Sequence, residues 1–258
     1  MTHPWFARAA IPRVLAHRGL VTPEGQSHGV AENSFAAVAA AEAAGATYVE
    51  SDCHLTADGA VVLFHDDDLT RVTGDARRVD QVTVRELEGI MAGHGGLITL
   101  AQALDAFPLL RFNLDVKAPA AAVPVGRAVA EHGARVLVTS FSDDRRRAAL
   151  EAAAAAGRGI RPATSPGTST IARLLGAVSL RSERMARRAL AGIDAVQVPE
   201  RHGRVRIVTP RFIELTHRAD AEVHVWTVND PADMTRLVAM GVDGVVTDRA
   251  DVALAALR

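Results

Sequence analysis

The stretch Arg111-Phe112-Asn113-Leu114-Asp115-Val116-Lys117 alternates polar and apolar side chains without interruption. Successive side chains of a β-strand point to opposite faces of the sheet. Asn113, Asp115 and Lys117 would therefore share one face, and the apolar residues would share the other. The pattern predicts a strand that packs one face into a core and presents an amide, a carboxylate and an ammonium group on the opposite face.

Three other apolar runs end in ionisable residues. They are Val14-Leu15-Ala16 before His17-Arg18, Tyr48-Val49 before Glu50-Ser51-Asp52, and Val61-Val62-Leu63-Phe64 before His65-Asp66. Glu50 and Asp52 are two residues apart, so they would share one strand face. A single histidine or acid at a strand end is usually structural or solvated. The prediction of a functional site therefore rests on the four runs together.

Short β-rich runs alternate with helical patterns along the whole chain. Nine runs are strand candidates: Arg13–His17, Thr47–Asp52, Ala60–His65, Arg111–Lys117, Arg135–Phe141, Gly159–Ala163, Ala195–Pro199, Glu222–Val228 and Gly244–Thr247. Helical candidates include Ser34–Ala44, Val84–Met91, Thr99–Phe107, Asp143–Ala156, Pro210–Ala219 and Pro231–Met240. Such alternation predicts parallel strands joined by crossover helices. Because the chain has 258 residues, and about 250 are typical of a (β/α)₈ TIM-type barrel, we predict that fold for a single domain, 1–258.

Nine candidates cannot all occupy eight barrel positions, and the pattern does not say which one is surplus. The second and third candidates are too close for a helical crossover. They form either a hairpin or a pair joined by an irregular return through His54–Gly59. The long segment 66–110 is predicted to be a small insertion that caps the C-terminal mouth of the barrel.

The carboxyl ends of the strands line the active site in barrels of this kind, so the ionisable residues should converge. Three carboxylates, from Glu50, Asp52 and Asp115, would repel one another if buried without a cation. Oxygen donors of this kind suit Mg²⁺, Ca²⁺ or Mn²⁺. Two histidines on other strands could transfer protons near neutral pH. Arg18 and Lys117 could hold an anion such as phosphate.

Composition restricts the classes of function. The net charge is −1 and the pI is near 6.8, so no basic field for nucleic acid is present. Apolar runs are too short for a membrane span, and the N-terminus lacks the apolar stretch of a secretory signal. Cys53 is the only cysteine; we predict a cytoplasmic protein in which Cys53 is a small buried apolar residue. His54 and His94 are expected in exposed loops.

One count concerns the candidate site directly. Lys117 is the only lysine in a chain that contains 28 arginines. The preference for arginine over lysine in the rest of the chain does not extend to position 117.

The ionisable runs belong to motifs that resemble the glycerophosphodiester phosphodiesterase family. The motifs are Ala16-His17-Arg18-Gly19, Glu32-Asn33-Ser34, the Gly45–Asp52 and Thr56–Asp66 segments, Leu69–Gly74, Thr99-Leu100, Asp115–Lys117, Ser140-Phe141, Trp226–Asn229 and Gly241–Asp248. They follow the order seen in that family and extend over nearly the whole chain. No single motif is specific, but the combination is.

The resemblance implies metal-dependent hydrolysis of glycerophosphodiesters to sn-glycerol 3-phosphate and an alcohol. One divalent cation, Mg²⁺ or Ca²⁺ with Mn²⁺ as a third candidate, would polarise the phosphoryl group. One histidine would remove the proton of the nucleophile, which is water or a neighbouring glycerol hydroxyl, and the other would protonate the leaving alkoxide. By the resemblance, the catalytic pair is His17 and His65, the metal ligands are Glu50, Asp52 and Asp115, and the substrate contacts are Arg18, Lys117, Trp226, Glu32 and Asn33.

Two features depart from the family pattern. The family usually has glutamate where Asp115 stands, so the metal, the strand or a water must make up for one missing methylene. The loop Leu20–Ala31 is longer than usual and has Ala31 in place of a customary proline. We expect that loop to border the substrate mouth and to affect the choice of alcohol.

Two other functions fit parts of the pattern. A phosphodiesterase of related architecture that acts on lysophospholipids or sphingomyelin also uses Glu, Asp and Asp at its metal, but the Trp226–Asn229 and Gly241–Asp248 segments favour the glycerophosphodiester branch. A barrel that binds phosphodiesters without turnover would not need both histidines and all three acids. An amidohydrolase is disfavoured because no His-x-His pair lies on the first strand.

Overall fold

Strands and helices alternate in the order predicted from the sequence. The computed structural model describes residues 3–7, 11–157 and 159–257. Its strands are β1 (Arg13–His17), β2 (Tyr48–Leu55), β3 (Val61–Leu63), β4 (Arg111–Val116), β5 (Val136–Thr139), β6 (Ala163–Thr164), β7 (Ala195–Pro199), β8 (Arg201–His202), β9 (Val205–Arg206), β10 (Glu222–Trp226) and β11 (Gly244–Thr247). Its α-helices are α1 (Pro23–Ser27), α2 (Phe35–Ala43), α3 (Thr70–Thr73), α4 (Val84–Met91), α5 (Leu100–Ala106), α6 (Ala122–Val129), α7 (Asp143–Ala156), α8 (Thr168–Ser179), α9 (Glu183–Ala189), α10 (Pro210–Arg218), α11 (Pro231–Ala239) and α12 (Ala250–Ala256). Short 3₁₀ helices cover Val79–Gln81, Pro119–Ala121 and Ala130–Arg135.

Eight of these strands, within the described residues, form a nearly closed parallel barrel. They pair in the order β6-β5-β4-β2-β1-β11-β10-β7. Between the two end strands, the Asp194 amide donates to the Thr164 carbonyl at 3.0 Å. The predicted (β/α)₈ barrel is therefore confirmed.

The surplus strand is β3. It pairs antiparallel with the upper part of β2, with Cys53 opposite Leu63 and Leu55 opposite Val61. The hairpin alternative was therefore the right one of the two. His65 was wrongly treated as the end of a barrel strand: β2 continues above the mouth, and β3 brings the chain back down to the level of Asp52.

The strand register places the predicted site residues side by side. His17 is opposite Glu50 on the neighbouring strand. Asp52 is opposite Asp115, two steps above the pair of Glu50 with Asn113. Because residues opposite each other in a ladder point to the same face, this register gathers the acids inside the barrel.

Local signals set several helix starts. The side chains of Ser34 and Thr209 accept hydrogen bonds from the backbone amides of Ala37 and Phe212, the usual role of N-cap residues. The turn after β1 depends on Gly19, which has φ +84°, and a Cβ there would lie 2.7 Å from the carbonyl oxygen of Ala37. Only glycine fits this contact between the first strand and its helix.

Aromatic residues close the bottom of the barrel, at the N-terminal ends of the strands. Trp5 and Phe6 are buried in a small apolar cluster with Leu15, Tyr48 and other inward-facing residues. The Trp5 indole donates to the Phe112 carbonyl at 3.1 Å. We call this region, together with the nearby Arg13–Glu222 pair, the closed end.

The predicted insertion, 66–110, lies at the rim of the opposite mouth. Apolar residues of this segment, including Leu69, Leu87 and Met91, form a small core with the β3 segment. The following helix α5 packs into the main barrel core. The insertion joins the barrel next to α2, where the carbonyls of Gly95 and Gly96 accept hydrogen bonds from Ala36 and Phe35.

Candidate active site

A cavity of about 480 Å³ opens at the carboxyl ends of the barrel strands. Eight of the ten predicted site residues line it: His17, Arg18, Glu50, Asp52, His65, Asp115, Lys117 and Trp226. Its volume lies in the usual range for small-molecule sites. The structure therefore brings residues from separate strands around one space.

The three predicted metal ligands are buried acids, and Lys117 lies between two of them. Its ammonium group is 3.0 Å from Oδ1 of Asp52 and 2.8 Å from Oδ2 of Asp115. Burial lowers the pKa of Lys117, but the charges of these two acids outweigh that effect and raise it. Burial, followed by the charge of Asp52, raises the pKa of Glu50 well above its ordinary value. Arg18 is a second cation at these acids, with its Nε 3.2 Å from Oδ2 of Asp52.

His17 is oriented by a carboxylate from the last barrel strand. Its Nδ1 is 2.6 Å from Oδ1 of Asp248, and its Nε2 is 3.8 Å from Glu50. Asn229 holds Asp248 in turn, through a 2.7 Å hydrogen bond from its amide to the other carboxylate oxygen. Burial lowers the pKa of His17, but the Asp248 hydrogen bond and the charge of Glu50 outweigh it and raise the pKa.

His65 has an equivalent acidic partner. Its Nδ1 is 2.6 Å from Oδ1 of Asp66, the next residue. Arg71, on helix α3 of the insertion, donates to the other oxygen of Asp66 at 2.6 Å and to Glu32 at 2.6 Å. Glu32 also accepts from Arg18 at 2.6 Å. A chain of ionic hydrogen bonds thus connects His65 to Arg18 across the rim.

Glu32 and Asn33 do not line the cavity but contact residues that do. The Asn33 side-chain amide donates to Asp52 at 3.1 Å, and its carbonyl accepts from Ser51 at 2.6 Å. Arg18, with φ +57°, is held by its backbone amide, which donates to the Glu50 carbonyl at 2.8 Å. These contacts orient Asp52 and Arg18 from outside the cavity.

Sequence reasoning did not assign several residues of this network. Asp248, Asn229 and Arg71 lie within motifs quoted for the resemblance. Only the tertiary structure shows that Asp248 contacts His17, that Asn229 holds Asp248, and that Arg71 bridges Asp66 and Glu32. The sequence signal was the acid at the end of the Gly241–Asp248 segment, which follows an apolar strand like the other four runs.

Two histidines predicted to be exposed are not. His54 is 4% exposed, because β2 extends past the barrel mouth and pairs with β3; its Nε2 is 3.2 Å from the His65 carbonyl. His94 is half-buried, because its segment packs against the chain before α2, where its carbonyl accepts from Ala31 at 3.0 Å. Cys53 is fully buried, as predicted.

The loop Leu20–Ala31 does not border the cavity, contrary to expectation. It folds into the short helix α1, which Thr22 caps, and its end is tied to the insertion through the Ala31 amide. No residue of this loop lines the cavity.

The donor set at the cavity floor fits a divalent cation. Oδ1 of Asp115 is buried and has no hydrogen-bond partner among the described residues, and a buried oxygen of this kind is costly unless something binds it. Within residues 3–7, 11–157 and 159–257, no three His, Cys, Asp or Glu side chains are already grouped as metal ligands. The Lys117 ammonium instead lies between Asp52 and Asp115.

Comparison with known proteins agrees with this geometry. Residues 17–252 match the model of the glycerophosphoryl diester phosphodiesterase family. A Mycobacterium tuberculosis protein named "Probable glycerophosphodiester phosphodiesterase 2" is 38% identical over 240 residues, which cover 92% of this chain and 87% of that protein. A glycerophosphodiester phosphodiesterase of Caldanaerobacter subterraneus is 27% identical over 91% of this chain and 93% of its own length.

Solved structures show the same fold. The glycerophosphodiester phosphodiesterase of Thermotoga maritima superposes with a TM-score of 0.69 at 25% identity, covering 97% of this chain and 100% of that one. An Oleispira antarctica phosphodiesterase, in complex with the product sn-glycerol-3-phosphate, has a TM-score of 0.70 at 22% identity, with 96% and 97% covered. Together with the family match over residues 17–252, these likenesses show that the chain belongs to the glycerophosphoryl diester phosphodiesterase family, whose members are phosphoric diester hydrolases.

Proposed function

We propose that this chain hydrolyses glycerophosphodiesters to sn-glycerol 3-phosphate and an alcohol, with one divalent cation and two histidines. The observation that carries the proposal is the meeting, in one cavity, of two histidine–aspartate pairs with three buried acids, Lys117 and Arg18. P–O cleavage near neutral pH requires positive charge to bind the phosphate, oxygen donors to hold a metal and two groups that transfer protons.

Glu50, Asp52 and Asp115 would hold the cation, which could be Mg²⁺, Ca²⁺ or Mn²⁺. A bound divalent cation polarises a phosphoryl oxygen and offsets the charge that develops there. Two observations support this role: among the described residues the buried Oδ1 of Asp115 has no hydrogen-bond partner, and burial together with the charge of Asp52 raises the pKa of Glu50 to about 8. The aspartate at position 115 supplies the same type of donor as the usual glutamate.

His17 and His65 would exchange the protons. Each has Nδ1 occupied by an aspartate, which fixes the ring orientation and leaves Nε2 as the atom available for proton transfer. One histidine takes the proton of the attacking hydroxyl while the new P–O bond forms. The other gives a proton to the alkoxide as the P–O bond to the alcohol breaks, so the proton count balances.

The remaining residues would bind the substrate. Lys117 and Arg18 contact the phosphoryl oxygens, Glu32 and Asn33 hold Arg18 and Asp52, and Trp226 flanks the alcohol portion. The substrate is a small phosphodiester. No helix in the described parts of the chain is long and apolar enough to cross a membrane; a cytoplasmic location and a single domain over 1–258 remain our predictions from the sequence.

The test is a metal-dependent product assay. Glycerophosphocholine should give glycerol 3-phosphate and choline only when Mg²⁺, Ca²⁺ or Mn²⁺ is present, and exhaustive chelation should abolish the reaction reversibly. Asp52→Asn should bind the cation more weakly by calorimetry. Full activity in chelated protein that contains no metal by elemental analysis would exclude the metal, and absence of any turnover with all three metals would favour a binding protein.

A further inference from the structure

The cavity contains one buried oxygen to which the proposed function gives no role. Asn113, on β4, lines the cavity and is 2% exposed. Its side-chain oxygen, Oδ1, has no hydrogen-bond partner among the described residues. Because a buried amide oxygen without a partner costs free energy, this atom marks a place where a hydrogen-bond donor or a cation would bind.

A buried row of polar side chains sets the orientation of this amide. Nδ2 of Asn113 donates to Oε1 of Gln197 at 3.3 Å, and Nε2 of Gln197 lies 3.3 Å from Nδ1 of His224. Nε2 of His224 lies 3.1 Å from an oxygen of Glu222. Because a carboxylate accepts there, Nε2 carries the proton, and Nδ1 of the neutral ring accepts from Gln197. Gln197 therefore turns its oxygen toward Asn113, which leaves Oδ1 of Asn113 outside the row.

Position 244 makes room for the histidine of this row. Gly244 is opposite His224 in the ladder between β10 and β11. A Cβ on Gly244 would lie 2.9 Å from the His224 ring, closer than side chains normally approach. The ring can therefore occupy the barrel interior only because the neighbouring strand has a glycine there.

Asn113 lies beside two of the three proposed metal ligands. It is opposite Glu50 in the ladder between β2 and β4, and it precedes Asp115 by two positions on the same strand face. Neighbouring strands are only about 4.8 Å apart, so the amide of Asn113 and the carboxylate of Glu50 can reach one ion. Asp115 has a short side chain, and an ion that it binds must lie close to β4, the strand that also carries Asn113.

We propose that Oδ1 of Asn113 is a fourth protein ligand of the divalent cation, beside the carboxylates of Glu50, Asp52 and Asp115. The inference rests on the proposed function, because it assumes that a cation binds these acids. A neutral oxygen adds a ligand without adding a further negative charge to the site. Ca²⁺ takes about six to eight oxygen ligands, amide oxygens among them, whereas Mg²⁺ usually keeps several waters. Asn113 should therefore contribute more to Ca²⁺ binding than to Mg²⁺ binding.

Calorimetric titration of the purified chain with Ca²⁺ and with Mg²⁺ tests the ligand. Asn113→Leu replaces the amide with an apolar group of similar size, and it should weaken Ca²⁺ binding at least about tenfold, with a smaller effect on Mg²⁺ binding. Thr139→Val is the control. Thr139 is opposite Asp115 and lines the cavity, but its hydroxyl already donates to the Ser165 carbonyl at 3.4 Å, so its replacement should change neither affinity. Equal Ca²⁺ affinity in wild type and Asn113→Leu would overturn the inference.

A crystal structure of the wild-type chain with bound Ca²⁺ gives an answer that does not depend on how a variant folds. Oδ1 of Asn113 should lie about 2.3–2.6 Å from the ion, the usual length of a bond between calcium and oxygen. Nδ2 should still donate to Gln197, as the row of polar side chains requires. A water between Oδ1 and the ion, or an ion that contacts the acids alone, would contradict the assignment.

Turnover of glycerophosphocholine separates this inference from the proposed function. If Asn113 binds the cation but no phosphodiester is hydrolysed, the proposed function fails and the ligand assignment stands. If hydrolysis requires a cation whose affinity is the same in wild type and Asn113→Leu, the ligand assignment fails and the proposed function is intact. A wild-type chain that binds neither Ca²⁺ nor Mg²⁺ would refute the ligand assignment together with the metal site.

Discussion

The two ends of the barrel interior both contain charged side chains, but they differ in how completely those side chains are paired. At the closed end, Arg13 donates to both oxygens of Glu222 at 2.6 and 2.7 Å and to the Tyr48 hydroxyl at 2.7 Å. Arg111 also donates to Tyr48, which in turn donates to the Trp5 carbonyl. Every charge there has a partner of opposite sign or a hydrogen bond.

The catalytic mouth is not balanced in this way. Five buried side-chain atoms lack a hydrogen-bond partner among the described residues, and three of them belong to cavity residues: Arg18, Asn113 and Asp115. None lies at the closed end. Since an unpaired buried polar atom costs folding free energy, the mouth gives up stability that a substrate and a cation would restore, whereas the closed end contributes to stability alone.

The largest expected effect separates the two tryptophans. Trp5→Ala removes a fully buried side chain and should lower the free energy of unfolding by about 3–5 kcal/mol, with turnover per folded molecule unchanged. Trp226→Ala, at the half-buried mouth, is the control; it should lose far less stability and should raise KM. Urea unfolding with active-site titration measures both. A wild-type unfolding curve for Trp5→Ala would show that the closed end is not a stabilising plug.

Substitution of the histidines at the mouth should lower turnover and leave stability nearly unchanged, the reverse of Trp5→Ala. His17→Ala and His65→Ala should each lower turnover about 10²-fold or more, the usual scale for general acid–base groups, while melting near the wild-type temperature. His217→Ala, on the outer surface of α10, should leave turnover unchanged. A folded variant of either mouth histidine with near-normal turnover would remove that residue from the mechanism.

Glu222 gives the closed end a predictable response to acid. Burial raises its pKa, but hydrogen bonds from Arg13 and His224 outweigh burial and lower it to about 2. A lowered pKa stabilises the fold above the unfolded value near 4.5, and that stability is lost as the pH falls from about 4.5 to 2. Glu222→Gln should therefore cost about 2–3 kcal/mol at pH 7, allowing for partial solvent screening.

The pH dependence of that difference is the decisive measurement. Unfolding free energies of wild type and Glu222→Gln should converge as the pH falls toward 2. Glu183→Gln removes an exposed acid paired with arginines, and it should unfold like wild type at every pH. A constant gap for Glu222→Gln would mean that its ion pair does not set the acid response.

Lys117 tests whether the mouth needs an ammonium or only a positive charge. Lys117→Arg keeps the charge but replaces a compact group, held between two acids, with a planar and bulkier one. We expect kcat/KM to fall about tenfold with little change in melting temperature, while Lys117→Met loses more. Wild-type kinetics in the arginine variant would remove the argument drawn from the single lysine.

The smallest expected effect is the stability change in Glu50→Gln, and its sign distinguishes the mouth from the closed end. Glu50→Gln replaces an acid whose raised pKa makes its ionised form unfavourable in the fold, so the chelated protein should be as stable as wild type or slightly more stable, by up to about 1 kcal/mol. Removal of an acid at the closed end is instead destabilising. Thermal melts in the presence of a chelator compare the two, and a large loss of stability in Glu50→Gln would mean that the mouth is already electrostatically balanced.

The sequence determined the barrel and most of the site because these depend on local periodicity. The alternation at Asn113, Asp115 and Lys117, and the spacing of Glu50 and Asp52, assign strand faces directly. Parallel strands with crossover helices then bring strand ends to one mouth. Eight of the ten predicted site residues line the cavity. Of these, Trp226 was implied only by the family resemblance, and His65 follows the β2–β3 hairpin and not a barrel strand.

Tertiary structure alone decided how those residues are held and what lies opposite them. Asp248 reaches His17 across 231 positions of the chain, and Arg71 contacts Glu32 only because the insertion folds over the rim. His54 is buried because an antiparallel strand pairs beside it, which its own polarity does not signal. Helix α8 turns Ile171, Ala172 and Leu175 toward the cavity. Sequence periodicity shows that a helix face is apolar, but it does not show whether the protein core or a cavity lies against that face.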